Sequence, residues 1–148
     1  MEEEREPAML NSLLESSDAL ILLARVLLMT LFLITGWQKL TNFAGTVAYM
    51  KSTGAPAPEL SAVIAIVVEF FFGIALVLGA FTRPLALLFC LFTLGTAFLG
   101  HRYWKLEGAE RHANMLNFYK NLSITGGLLL LAVTGPGKYA LTGLSGSA

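Results

Sequence analysis

Residues 61–80 read SAVIAIVVEFFFGIALVLGA, a run of apolar and small residues interrupted by one charge, Glu69, near its middle. At about 1.5 Å per residue, some twenty helical residues cross the roughly 30 Å hydrocarbon layer of a bilayer. A carboxylate at that depth costs at least about 2.5 kcal/mol even on lenient insertion scales, so Glu69 requires a partner.

The rest of the chain agrees with a membrane setting. Of 148 residues, 55% are hydrophobic and 14% charged, and the mean hydropathy is +0.67. Soluble domains are nearer 45–50% apolar and about 25% charged. One compact, all-α integral membrane domain is the simplest reading. The formal net charge of zero conceals an asymmetry, because Glu2, Glu3, Glu4, Glu6, Glu15 and Asp18 all precede the first apolar run, with Arg5 the only base among them. Nothing there resembles a nucleic-acid arm, and no nucleic-acid partner is expected. The lone cysteine, Cys90, rules out a disulfide within the chain and suits packing among Leu88, Phe89, Leu91 and Phe92.

Acids rather than bases flank the first apolar run, and no small-residue cleavage pattern follows it, so it reads as a retained helix. Residues 1–17 form an acidic tail in which Met9, Leu10, Leu13 and Leu14 share one helical face. A short amphipathic helix on the membrane surface follows from that pattern, with Ser17 or Asp18 capping the next helix. The four-helix domain covers residues 18–140, with spans at 18–39, 58–79, 82–101 and 117–133, and residues 141–148 are a flexible tail. Phe43, Val47 and Met50 predict an interfacial half-helix in the first loop, before the turn Gly54-Ala55-Pro56-Ala57-Pro58. The polar segment 101–117 can extend the helices on either side of it.

Bases cluster on one side. Lys39, Lys51, Arg102, Lys105, Arg111 and Lys120 belong to the two long loops, whereas Arg5, Arg83 and Lys138 lie on the side of the termini. In a bacterial inner membrane, the positive-inside rule makes the loops cytoplasmic and both termini periplasmic.

Counting depths from Asp18 and Gly79 as level ends brings Arg25 within reach of Glu69. Arg25, Met29, Phe32, Gly36 and Lys39 share one stripe, and Ala62, Ala65, Glu69, Gly73 and Ala80 share another. Small residues on that second stripe permit close helix contact. The expectation is a left-handed four-helix bundle holding an Arg25–Glu69 pair, with His101, Asn121 and Lys39 in a wetter cluster beneath. The pair either holds two helices in register or faces a cavity, where Glu69 handles a proton. Glu69, His101 and Asn121 are the candidate pocket for a cofactor or ligand. Phe70, Phe71 and Phe72 can wall a quinone-sized site, although consecutive aromatics must send at least one ring into lipid. His101, Glu107, Glu110 and His112 match no established ligand spacing, so no metal is assigned. Trp37, Tyr49, Tyr103, Trp104 and Tyr119 fit an interfacial aromatic belt. Motifs of hydrolases, kinases and thiol oxidoreductases are missing, and whether the chain is an enzyme stays open.

Taken in order, Ala24-Arg25, Gly36-Trp37-Gln38-Lys39-Leu40, the Gly54–Pro58 turn, Glu69 with Gly73, Leu78-Gly79-Ala80-Phe81-Thr82-Arg83, His101, Lys120-Asn121 and Gly135-Pro136-Gly137 resemble the DoxX family of small four-helix membrane proteins. The resemblance implies a link to quinone-dependent redox or oxidative-stress systems, and it transfers no catalytic residue. Three functions follow as expectations. The first is a redox-associated membrane component with quinone as its cofactor and redox proteins as partners. The second is a non-catalytic scaffold or assembly factor for other membrane proteins. The third is a small-solute carrier, which would need a homo-oligomer because four helices make a thin pore.

Overall fold

The computed structural model describes residues 5–141, and side chains from Ser17 onward together with Ser12. Helix α1 spans Arg5–Thr41 and α2 spans Phe43–Thr53. Helix α3 spans Pro58–Leu78, α4 spans Thr82–Gly100, and α5 spans Gly108–Thr134. Four of these are long and apolar enough to cross a membrane. The described chain is all-helical, an integral membrane four-helix bundle with α2 as the half-helix of the first loop.

Local chemistry sets the breaks. Asn42 interrupts the first helix and caps the second, its Oδ1 accepting from the Gly45 amide at 3.1 Å. Gly54 and Gly79 end α2 and α3 at φ 72° and 80°. At each, backbone amides turn back to carbonyls three and five residues earlier, the Schellman arrangement that glycine permits. Pro58 opens α3 at a position where a missing N–H leaves nothing unsatisfied. Arg83 closes the far end of α5, donating from Nη1 to the carbonyls of Ala132 at 3.1 Å and Val133 at 2.8 Å.

The helices pack as two antiparallel pairs, α1 along α3 and α4 along α5. Near the termini the pairs share a core of Met29, Phe32, Leu76, Ala86, Phe89 and Leu128. Phe32 and Phe89 meet edge to face with centroids 4.9 Å apart. The stripes expected from helical periodicity face inward: Arg25, Met29, Phe32 and Gly36 are buried, as are Ala62, Ala65, Glu69, Gly73 and Ala80.

Expectations change at the two ends of the described chain. No break separates a surface helix from the first span, since α1 runs continuously from Arg5. Asp18 does not cap it; its Oδ1 accepts from the Lys138 amide at 3.0 Å. The proposed apolar face Met9–Leu14 lies outside the described side chains. Helix α5 begins at Gly108, the polar segment before residue 117 extending it as its composition allows. The segment after Gly135 is packed across the bundle end, with the Leu141 amide donating to the Leu78 carbonyl at 3.0 Å; residues 142–148 lie outside the described chain.

Candidate functional site

Within α3, residues Val67–Phe72 form a π-helical turn. Such turns insert a residue into an α-helix and recur at functional sites. Facing it on α1 is Gly36, where a Cβ would stand 2.8 Å from the Phe70 amide nitrogen and 3.0 Å from the Glu69 Cβ. The two backbones are in direct contact there, as small residues allow.

Glu69 enters the bundle at this crossing and pairs with Lys39, the Nζ–Oε2 distance being 2.6 Å. The Thr35 hydroxyl donates to the same oxygen at 2.6 Å. Lys39 lies near the loop end of α1, but helical side chains lean toward the helix N-terminus, which carries its ammonium back into the membrane. The side chains of Lys39 and Glu69 are 22% and 7% exposed.

The expected Arg25–Glu69 pair is therefore absent, and the reason is one of level. Glu69 sits opposite Gly36, eleven residues along α1 from Arg25, or about 16 Å at the helical rise. Arg25 instead lies against Gly79, where a Cβ would collide with its Nη1. Helix α1, which begins at Arg5, projects well past the end of α3, and the C-terminal segment packs beside it at Asp18 and Ile21. Arg25 is 0% exposed and donates from Nη2 to the Tyr139 carbonyl. Its Nε and Nη1 have no partner among the described residues. It acts as a clasp on the chain end.

On the loop side of the Lys39–Glu69 pair the two helical pairs separate around a cavity of about 370 Å³. Glu69, His101 and Asn121, expected to share a pocket, all line it, together with Thr35, Lys39 and Thr93. Arg25 does not. Asn121 is buried on the α5 wall, and His101 Nδ1 lies 3.2 Å from Asn114 Oδ1 at the mouth. Thr93 is 1% exposed with its hydroxyl unpartnered, an expensive state for a buried polar group. Most of the remaining wall is apolar, including Phe32, Ile64, Phe92 and Ile124.

Phe70, Phe71 and Phe72 do not wall this cavity. Phe70 packs on Trp37 at 5.7 Å, Phe71 faces outward, and Phe72 packs against the core. Among the described residues no His, Cys, Asp and Glu side chains cluster as metal ligands, so His101, Glu107, Glu110 and His112 do not converge.

Lys39 falls on the α1 stripe expected from periodicity, but it joins Glu69 instead of a separate cluster with His101 and Asn121. Its spacing from Thr35, one turn earlier, was the usable signal. Thr93 carried none, being one threonine in an apolar helix.

Four membrane-length helices in two pairs, with a cavity ending on a Lys–Glu ion pair between them, define a small helical membrane protein. A family model described as DoxX matches residues 20–102. Inner membrane protein YphA of Escherichia coli (strain K12) is 53% identical over 122 residues, covering 82% of this chain and 87% of that protein. Inner membrane protein YqjF of the same organism is 47% identical over 124 residues, covering 84% and 90%. No solved structure matches. The chain belongs to the DoxX family.

Proposed function

We propose that the protein is a bacterial inner-membrane component of a quinone-linked redox system, binding a quinone ring in the cavity beside Lys39 and Glu69. The observation that carries this reading is the cavity itself: about 370 Å³, within the range of small-molecule sites, with apolar walls and a few convergent polar groups. A non-catalytic scaffold would be served equally well by a dry, packed Glu69.

The residues present suit a quinone. Thr93 offers an unpartnered hydroxyl, and Lys39 has donors beyond the one used on Glu69. These and the Asn121 amide can hold carbonyl oxygens against the apolar wall. A bound quinone supplies two-electron, two-proton redox chemistry. The chain's part is to orient the ring, exclude bulk water, and hold or pass a proton at Glu69, whose two hydrogen bonds both fall on Oε2. Two further features support the setting. Both relatives are named inner membrane proteins, and the excess of Lys and Arg in the long loops favours a cytoplasmic position for them, with both termini periplasmic.

The test is purification from native membranes, solvent extraction and quantitation of co-purified quinone. Wild-type protein is expected to carry quinone in near-stoichiometric amount and Glu69→Ala to carry little. Quinone at background level in the wild type, together with unchanged quinol oxidation in a deletion strain, would overturn the reading.

A further inference from the structure

The loop side of the cavity and its α3–α4 side differ. Toward the loops it is bridged. The Arg102 Nη2 donates to the Thr53 carbonyl at 2.8 Å, tying the end of α2 to the end of α4. Tyr49 from α2 reaches toward Gly100, its hydroxyl 3.8 Å from where a Cβ on that glycine would stand.

Sideways, between α3 and α4, the situation is reversed. These helices are joined by the tight turn at Gly79–Phe81 and touch near it, but their loop-side halves hardly meet. Ile64 on α3 and Leu99 on α4 line the cavity and are about half exposed. Gly95 lines it as well and is exposed, with no atom within 4 Å of its Cβ position. The seam is apolar at its rim and lies within the membrane-length apolar stretches of both helices. On the inner side of the same seam stands the buried, unpartnered Thr93 hydroxyl.

We infer that the α3–α4 seam is a lateral portal, and that the ligand is a quinone with an alkyl or isoprenoid tail. Its ring lies beside Lys39, Glu69 and Thr93, and its tail leaves past Ile64, Gly95 and Leu99 into the bilayer. The inference rests on the quinone reading and adds to it a route and a requirement for the tail. A ring without a tail leaves the seam vacant. A ligand arriving between α2 and α4 would meet the Arg102–Thr53 bridge.

Glycine supplies both the probe and its control. Gly95 and Gly126 both lie in transmembrane helices with open space at the Cβ position, but Gly126 does not line the cavity. Wild type, Gly95→Phe and Gly126→Phe, each in lipid nanodiscs, are titrated with a decyl-tailed benzoquinone and with its tail-less parent ring. Gly95→Phe should weaken the tailed probe at least about tenfold, in line with the cost of overpacking a filled apolar space, and Gly126→Phe should not change it. The tail-less ring should bind more weakly to the wild type and be affected less by Gly95→Phe. Ile64→Ala, which widens the seam from the other helix, should speed uptake of the tailed probe, so the portal stays testable should Gly95→Phe fold poorly. Tailed quinone binding that ignores both seam variants would overturn the portal and leave the quinone site standing. Wild type that binds neither probe would overturn the quinone site and the portal together.

Discussion

Removing one member of the Lys39–Glu69 pair should give different results depending on which member is removed. In Lys39→Met, Glu69 keeps only the Thr35 hydroxyl, and a carboxylate stays buried in the bundle. Breaking a buried pair in this way costs about 3–5 kcal/mol. In Glu69→Gln, the amide oxygen can still accept from Thr35 and Lys39, and the partly exposed lysine can swing its ammonium toward the loop-side interface. The cost there is about 1 kcal/mol, near that of one hydrogen bond. The double variant should be more stable than Lys39→Met alone, since no unpaired charge remains. Reversible unfolding in mixed detergent micelles measures all three. Arg25→Met supplies the control: about 16 Å from Glu69 by helical rise, it should combine with Glu69→Gln additively to within about 0.5 kcal/mol. Equal losses for Lys39→Met and Glu69→Gln, or coupling of Glu69 to Arg25 instead of Lys39, would rule out a buried Lys39–Glu69 pair.

Other perturbations follow from the same geometry. Gly36→Ala places a methyl 2.8 Å from the Phe70 amide nitrogen; it should destabilise by about 1–3 kcal/mol and lower quinone retention in the purified protein. Gly79→Ala combines a strained φ of 80° with a clash against Arg25, and should loosen the chain end, read as faster trypsin cleavage after Lys138. Ala57 and Phe81 hold left-handed backbone at φ 42° and 49°. Ala57→Gly or Phe81→Gly should raise stability by about 0.5–1 kcal/mol in thermal unfolding, strain relief exceeding the added chain entropy.

The bundle was legible because burial in lipid leaves strong marks. Charge-poor runs of bilayer length gave the spans, and the inward stripes of Met29, Phe32 and Gly36 and of Ala62, Ala65 and Gly73 followed from a period of 3.6 residues. The partner of Glu69 was not legible, because periodicity fixes the angle around a helix and leaves its level along the axis undetermined. Taking Asp18 and Gly79 as level ends shifted α1 by two turns, enough to exchange Lys39 for Arg25. The C-terminal segment packs against α1 at its true level, through Lys138 to Asp18 and Tyr139 to Arg25, contacts between residues more than a hundred positions apart. The π-helical turn at Val67–Phe72 was equally hidden, since VVEFFF suits a regular α-helix. Glu69, His101 and Asn121 were recognisable as polar groups in apolar helices; Thr93 became a candidate through its unpartnered hydroxyl alone.

The most direct measurement uses solid-state NMR on the protein in bilayers, with 15N-labelled lysine and arginine side chains and 13C-labelled glutamate. The Glu69 carboxyl should show strong dipolar coupling to a lysine ammonium and none to an arginine guanidinium. Both the Glu69 and Lys39 signals should shift when decyl-tailed quinone is added. A Glu69 carboxyl coupled to an arginine, or a Lys39–Glu69 pair whose signals ignore saturating quinone, would contradict the account.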